Sequence, residues 1–152
     1  MIYDWIVKQV LNGKKIFALL LDPDEYNDQS LRHTLMEAGT SETDLILVGG
    51  SLVTNPIAPF VQKIKENTEI PVLLFPGNLL QISNNADGIL FLSLISGRNP
   101  DLLIGNHVAS APMIKSSGME VISTGYILVE NGKSTSVEYI SNTNPVPADK
   151  PN

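Results

Sequence analysis

The chain alternates short apolar runs with longer segments in which apolar residues recur every three or four positions. The runs predict five β-strands, which start near residues 16, 45, 71, 88 and 119. The first run, KIFALLL, is apolar throughout, which is typical of a parallel strand covered on both faces. We predict a sixth strand in NGKSTSVEYI, antiparallel to its neighbour, because this segment follows a turn signal.

The segments between these runs predict helices. In PIAPFVQKIKEN the apolar residues share one helical face. An N-terminal helix is expected to end at Gly13 and the second helix at Gly39, because glycine commonly follows the last helical turn. We expect NPDLLIGNHVASAPMIKSSG to be helical as well, and to be broken or kinked near Pro112.

Alternating strands and helices predict an α/β fold with a parallel sheet and right-handed crossovers. Two architectures fit this pattern. One is an open doubly wound sheet, with strand order 2-1-3-4-5. The other is a TIM (β/α)₈ barrel, which typically needs about 250 residues and would be incomplete in a chain of 152. Strands laid edge to edge in sequential order would identify the barrel.

The composition of the chain excludes several classes of protein. Apolar residues make up 43% of the chain, enough for one ordinary core. The net charge of −6 and the lack of a Lys/Arg cluster argue against a nucleic-acid partner. The sequence contains no apolar run long enough to span a bilayer, and it lacks cysteine, so disulfides and thiolate chemistry are excluded. We therefore expect a soluble cytoplasmic protein.

Polar residues follow the predicted strands. In both architectures ligands bind at the carboxyl ends of the strands. Asp22 comes directly after the first strand, before the turn at Pro23, and Ser51 follows the second strand. Mg²⁺ takes oxygen ligands, often only one or two from protein, with waters and substrate phosphates completing its shell. Asp22 and Ser51 therefore predict a site for Mg²⁺ and a diphosphate.

Structural roles are the alternative for each candidate. Asp22 and Asp24 could be ordinary loop residues, or Asp24 a helix cap, and Gly49–Gly50 could mark only a tight turn. Asn78 and Asn99 are candidate substrate contacts, with turn or cap roles as the alternative. His33 and His107 lie inside helical patterns and are expected to be solvated or packed, not catalytic. Lys14 and Lys15 precede a strand, at the wrong end for catalysis, and are expected to be surface charges. Arg98 is expected to be an exposed loop arginine, with a phosphate contact as the alternative.

Five segments, in order and spanning nearly the whole chain, resemble one enzyme family. They are KKIFALLLDPDEY, DLILVGGSLVT, IPVLLFPGN, ADGILFLSLISGRNPDLLIGNHV and EVISTGYILVENGKSTSVEYIS. Together they are similar to the geranylgeranylglyceryl and heptaprenylglyceryl phosphate synthases of archaea and some bacteria. SGRNPDLLIGNHV is the most specific of them.

This resemblance implies a modified TIM barrel that joins sn-glycerol 1-phosphate to a long-chain prenyl diphosphate, releasing diphosphate and forming the first ether bond of an ether lipid. It also implies Mg²⁺, held by the first Asp of the Leu-Asp-Pro motif and by the Ser after Gly-Gly, which are Asp22 and Ser51 here. A homo-oligomer is expected by the same resemblance, and peripheral contact with a membrane is expected because a substrate is a lipid.

The family pattern continues beyond the NTNPVP region with a strand loop that carries the general base, and with two glycine loops that cradle phosphate. These motifs do not occur in the 152 residues. We therefore expect residues 1–152 to form the first half to five-eighths of one barrel domain, with the general base beyond residue 152. We expect that this segment alone is unstable and inactive, because an incomplete barrel exposes sheet edges and apolar faces.

Two other functions stay open. A related TIM-barrel isomerase or aldolase that binds phosphate would need a lysine or paired acids at the strand ends, and no suitably placed lysine occurs. A non-enzymatic, doubly wound module binding Mg²⁺ would need an aspartate after the third strand. The chain has Phe75-Pro76-Gly77 there.

Overall fold

The computed structural model describes residues 1–150. Five parallel strands form one sheet, with each strand hydrogen-bonded to the next in the chain. The strands are β1 (Ala18–Leu21), β2 (Leu45–Val48), β3 (Val72–Leu74), β4 (Gly88–Leu94) and β5 (Glu120–Tyr126). This sequential order is that of a barrel wall, and the open doubly wound order 2-1-3-4-5 is wrong.

Helices connect the strands on one side of the sheet. A π-helical turn at Asp101–Gly105 leads directly into the helix between β4 and β5. The α-helices are α1 (Ile2–Leu11), α2 (Asp28–Thr40), α3 (Ile57–Asn67), α4 (Asn106–Ser117) and α5 (Ser136–Ser141). As predicted, α1 ends just before Gly13, which has a φ of +72°.

The two faces of the sheet meet different partners. Along β2, Ile46 and Val48 belong to a buried cluster that includes residues of α2, α3 and α4. Leu45 and Leu47 belong to a second cluster on the opposite face, where α1 packs. This alternation follows from the two-residue repeat of a strand. It explains why β2 is apolar throughout, since both of its faces are covered.

The predicted sixth strand is wrong, because the segment contains the helix α5. Thr135 accepts a hydrogen bond through its side chain from the N–H of Glu138, at 3.3 Å, and so caps the helix. The sequence Thr-Ser-Val-Glu carries the spacing of this cap. Capping chemistry outweighs the turn signal that predicted a strand.

Two helix details also differ from expectation. Gly39 does not end α2, which continues to Thr40; the left-handed residue that follows is Glu42, with a φ of +53°. The helix between β4 and β5 is not broken at Pro112, which lies inside α4. Its irregular part is the π-helical turn at Asp101–Gly105.

Candidate functional site

The turns that follow β2 and β3 pack backbone against backbone. A Cβ added to Gly49, whose φ is +151°, would overlap the carbonyl of Phe75. A Cβ added to Gly77 would overlap the carbonyl of Gly50 and would lie 3.1 Å from the Cα of Ser51. Because only glycine permits such an approach, the sequence places Ser51 tightly beside the turn after β3.

The side chain of Gln81 joins these two turns. Its Oε1 accepts from the N–H of Gly50 at 3.2 Å and from the N–H of Gly77 at 3.1 Å. Its Nε2 donates to the carbonyl of Gly50 at 2.8 Å. Gln81 is 2% exposed, so these hydrogen bonds replace water at buried backbone groups. The sequence analysis missed this residue.

Asp22 reaches the same glycine turn from the end of β1. Its Oδ1 accepts from the N–H of Asp24 at 3.0 Å, which is a local turn contact. Its Oδ2 lies against Gly50, where an added Cβ would overlap it. The carboxylate therefore adjoins the residue that directly precedes Ser51, and the two predicted metal ligands belong to one rim of the sheet.

Asp24, unlike Asp22, uses both of its carboxylate oxygens in hydrogen bonds that connect two loops. Its Oδ1 accepts from the N–H of Asn55 at 2.8 Å, and its Oδ2 accepts from the N–H and the hydroxyl of Thr54, both at 2.9 Å. These bonds, that from the Asn55 N–H first, lower the pKa of the Asp24 carboxyl below its ordinary value. Asp24 thus ties the loop after β1 to the loop after β2, and the cap of α2 is Asn27.

An ion at this rim would have few protein ligands. Residues 1–150 contain no group of three or more His, Asp or Glu side chains placed to hold a metal. The donors present are a carboxylate oxygen and a hydroxyl oxygen, from Asp22 and Ser51. Mg²⁺ accepts such a set when waters and substrate phosphates complete its octahedron. The donors therefore fit a magnesium ion shared with a phosphate-bearing ligand.

A mostly apolar cavity of about 270 Å³ opens from the same rim. Gly50 and Ser51 line one part of it, and side chains of the loop after β3, of β4, of α4 and of α5 line most of the remainder. An apolar cavity with a few polar groups at one end is the usual form of a site for a ligand with a polar head. The chain thus offers a polar rim beside space for a hydrocarbon.

Two further polar side chains line this cavity. Tyr126, at the end of β5, packs edge-on against Phe75 with ring centroids 6.0 Å apart, and burial raises the pKa of its phenol. His107 lies against Phe91, with ring centroids 4.5 Å apart, and its Nε2 is 2.6 Å from the carbonyl oxygen of Leu92. Of the two placements expected for His107, solvated or packed, the structure shows the packed one, within α4.

The two candidate asparagines occupy different positions. Asn78 lines the cavity, and its Oδ1 accepts from the N–H of Leu80 at 2.8 Å. The side chain of Asn99 donates to the carbonyl of Ile140 at 2.8 Å and accepts from the N–H of Asp101 at 3.0 Å. Asn78 therefore keeps access to a ligand, whereas Asn99 fastens α5 to the π-helical turn.

The remaining polar candidates lie away from the cavity. Arg98 is exposed and donates to the carbonyl of Gly97 at 2.8 Å. His33 is exposed on α2, 3.5 Å from a carboxylate oxygen of Glu37. Lys14 and Lys15 are exposed before β1, at the amino end of the strand. These placements match the predicted surface roles.

None of the helices within residues 1–150 combines the length and the apolar character needed to cross a membrane.

Two curated proteins from a bacterium and an archaeon, both similar to this chain, carry the same name. Geranylgeranylglyceryl phosphate synthase of Chitinophaga pinensis is 50% identical over 150 residues, which cover 98% of this chain and 60% of that protein. The protein of the same name from Methanobrevibacter smithii is 37% identical over 146 residues, covering 95% of this chain and 58% of the relative. The chain thus spans about three fifths of the length of these relatives.

Solved structures are similar to this chain over most of its length. The (S)-3-O-geranylgeranylglyceryl phosphate synthase of Thermoplasma acidophilum, in complex with its substrate sn-glycerol-1-phosphate, has a TM-score of 0.87 and 29% identity. The match covers 95% of this chain and 58% of that one. These likenesses confirm the prediction of a TIM-barrel type of fold. A profile of the PcrB family matches residues 8–152, and the chain belongs to the PcrB family.

Proposed function

We propose that the protein is a prenyltransferase that forms the first ether bond of an ether lipid from sn-glycerol 1-phosphate and a long-chain prenyl diphosphate. The C3 hydroxyl oxygen of the glycerol phosphate bonds to the allylic carbon of the prenyl group. The bond between that carbon and the diphosphate breaks, and diphosphate leaves with the electron pair. The hydroxyl proton passes to a general base, which the family resemblance puts beyond residue 152.

One observation carries this proposal: an acid and a hydroxyl share a rim with an apolar cavity. The Asp22 carboxylate lies against Gly50, and Gly50 and Ser51 line the cavity. A prenyl diphosphate has the same two parts, a charged head and a hydrocarbon tail. The names of the relatives support the same chemistry, as does the glycerol phosphate bound by the Thermoplasma acidophilum protein.

Asp22 and Ser51 would hold Mg²⁺ in this reaction. The bound ion would neutralise charge on the leaving diphosphate. Asp22 is suited to this because its Oδ2 faces the glycine turn while its Oδ1 is held by the Asp24 N–H, at 3.0 Å. Ser51 is suited because the contact between Gly77 and Gly50 holds its backbone in place.

The cavity would bind the prenyl chain and keep water from the reacting carbon. Phe75 and Tyr126 present aromatic rings within it, and ring faces can stabilise positive charge on an allylic carbon. Because burial raises the pKa of Tyr126, its phenol stays neutral and can donate a hydrogen bond to a diphosphate oxygen. We propose Asn78 as a further substrate contact, since it lines the same cavity.

The reaction is tested by incubating the complete gene product with sn-glycerol 1-phosphate, Mg²⁺ and prenyl diphosphates of graded length. Asp22→Asn should lower kcat/KM by at least about 100-fold, because the ligand charge is lost. Asp4→Asn, the same change on the exposed surface of α1, is the matched control and should keep wild-type turnover. Unchanged turnover in Asp22→Asn would remove the metal role, and release of diphosphate without ether formation would remove the transferase.

We further propose that the protein works in the cytoplasm as a homo-oligomer that touches a membrane peripherally. Exposed apolar side chains on and next to α4 support such contacts; Ile104, Val108 and Met113 are 63%, 70% and 49% exposed. Light scattering after gel filtration measures the oligomer, and cosedimentation with lipid vesicles measures the membrane contact. A monomer at all concentrations, or no cosedimentation, would contradict the respective part.

A further inference from the structure

Gln81 makes an unusual set of contacts for a loop residue. Its carboxamide bonds to the N–H and the carbonyl of a single residue, Gly50, and also to the N–H of Gly77. Its own backbone N–H donates to the carbonyl of Asn78 at 3.3 Å, so a tight turn directs the side chain back toward the glycines. All three polar bonds of the carboxamide are made to the two glycine turns.

These contacts hold both peptide groups that flank Gly50. The Gly50 N–H belongs to the peptide group shared with Gly49, and the Gly50 carbonyl belongs to the peptide group shared with Ser51. The structure contains no cis peptide bond within residues 1–150, so the N–H of Ser51 points opposite to the carbonyl of Gly50. Gln81 therefore determines the direction in which the chain presents Ser51.

Asp22 lies on another side of the same glycine. Its Oδ2 occupies the position where a Cβ of Gly50 would lie, so Gly50 has Asp22 against its Cα and Gln81 against its peptide groups. A tilt of Gly50 would change the separation of the Asp22 carboxylate and the Ser51 hydroxyl. Metal affinity depends on such geometry, and partners that orient ligands typically contribute 10- to 100-fold to it, to order of magnitude.

We propose that Gln81 is a positioning residue that sets the Ser51 hydroxyl opposite the Asp22 carboxylate for a divalent cation. This inference rests on the proposed metal role of Asp22 and Ser51. Gln81 contacts neither the cation nor the substrate in this proposal. It acts through the backbone of Gly50, with Gly77 as its second anchor.

The test uses the complete gene product with saturating inorganic diphosphate, because the ion is shared with a phosphate-bearing ligand. Mn²⁺ is titrated into this mixture and followed by electron paramagnetic resonance. Gln81→Met, which keeps the length of the side chain and removes its hydrogen bonds, should weaken Mn²⁺ binding about tenfold or more. In Gln81→Glu a neutral carboxyl group can accept from the two N–H groups and donate to the Gly50 carbonyl, whereas a carboxylate cannot donate. Because burial and the facing Gly50 carbonyl favour the neutral form of this carboxyl group, Mn²⁺ affinity in this variant should recover toward the wild-type value as the pH is lowered from 8 to 6.

Gln62→Glu is the matched control, because Gln62 is exposed on α3 and undergoes the same chemical change. It should bind Mn²⁺ like the wild type at both pH values. Amide hydrogen exchange of Gly50 and Gly77 in the wild type provides a separate measurement, and slow exchange is expected at both. A purely structural Gln81 would lower the unfolding temperature of its variants without changing the Mn²⁺ affinity of the folded protein.

The Mn²⁺ affinity of Asp22→Asn, measured in the same titration, distinguishes a failure of the proposed metal site from a failure of the positioning role of Gln81. If Asp22→Asn weakens Mn²⁺ binding and the Gln81 variants do not, the positioning role is overturned and the metal site stands. If neither Asp22→Asn nor Gln81→Met changes binding, the metal site is overturned and this inference falls with it. Recovery of Gln81→Glu at pH 6, absent from Gln62→Glu, supports the positioning role.

Discussion

The two ends of the sheet treat their carboxylates differently. At the amino end, Glu120 accepts from the backbone N–H groups of Ile2 and Tyr3 at 2.5 and 2.9 Å. Asp87, just before β4, accepts from Lys65 and from the N–H of Val72, each at 2.8 Å. At the carboxyl end, the Oδ2 of Asp22 lies against Gly50, on the side where a Cβ would be in any other residue. At the amino end, both acids accept hydrogen bonds from protein donors. At the carboxyl end, Asp22 keeps one oxygen available for a ligand.

This contrast separates stability from ligand binding within a single sheet. In TIM barrels the face at the amino ends of the strands serves stability, and the face at the carboxyl ends carries the active site. Changes at the amino end should therefore lower the free energy of unfolding and spare binding. Changes to Asp22 and the glycine turn against it, at the carboxyl end, should do the reverse.

The largest effect is expected from Gly50→Ala. The new methyl group would meet Asp22 Oδ2, the mobile end of a side chain, so the carboxylate should swing away while the fold persists. We expect kcat/KM to fall by about 100-fold, because small displacements of reacting groups have effects of that size. Steady-state kinetics and Mn²⁺ titration measure it.

Gly39→Ala is the control for this change. Gly39 lies within α2, and an added Cβ meets no atom within 4 Å. Alanine should raise the free energy of unfolding by about 0.5–1 kcal/mol through its helix propensity and leave turnover unchanged. Full activity in Gly50→Ala would contradict the assignment of ligand binding to the carboxyl end of the sheet.

Asp87→Ala should have the next largest effect, on stability. The change leaves the N–H of buried Val72 without its partner and removes the ion pair with Lys65. Both ion-pair side chains are about one third exposed, at 35% and 33%, so the lost amide partner should dominate. We expect the free energy of unfolding to fall by about 2 kcal/mol in urea titrations. Asp28→Ala, which removes the exposed pair with Lys63, should produce a much smaller change.

Glu120→Ala tests the attachment of α1 to the sheet. The N–H groups of Ile2 and Tyr3 would lose their acceptor at the start of the helix. A lost cap typically costs about 1 kcal/mol, and the loss should appear as faster amide exchange through α1. Mn²⁺ affinity should stay at the wild-type value. Weaker Mn²⁺ binding in this variant would mean that the two ends are coupled.

The smallest effect is expected from the titration of Asp24. Hydrogen bonds from Asn55 and Thr54 hold its pKa below the ordinary value of 3.8 in the folded protein. Its stabilising contribution is therefore complete above the unfolded pKa and is lost as the pH falls through the lower, folded pKa. The difference in unfolding temperature between the wild type and Asp24→Asn should be constant from pH 7 to about pH 5 and vanish in stronger acid. A difference that grows in acid would contradict the assigned contacts.

The sequence predicted the strands well because a buried strand has a recognisably apolar composition. The expected starts near 16, 45, 71, 88 and 119 lie within two residues of the observed starts. The physical reason holds best for β2 and β3, which are covered on both faces and apolar along their whole length, whereas β1 leaves Leu20 47% exposed and β5 carries polar residues. The same reasoning selected Asp22 and Ser51, because carboxyl ends of neighbouring parallel strands meet at one edge. The prediction failed for α5, where the preceding turn signal favoured a strand and the cap at Thr135 decided the structure.

Gln81 could not be found by the same reasoning. It stands four residues after Gly77, in a loop without periodicity, and its importance depends on how closely two turns approach each other. That distance is a property of the folded sheet, set by Gly49, Gly50 and Gly77 together. A polar loop residue of this kind can be identified only when the backbone groups to which it hydrogen-bonds are known.

The backbone contact between Gly77 and Gly50 has an evolutionary consequence. A Cβ at Gly77 would overlap backbone, a Cβ at Gly50 would displace the Asp22 carboxylate, and the carboxamide of Gln81 makes its three hydrogen bonds to these two turns. We expect these three positions to behave as one inherited unit, kept together or replaced together. A family member that lost one of them alone would have to rebuild the whole corner, so mutational paths through single changes there should be rare.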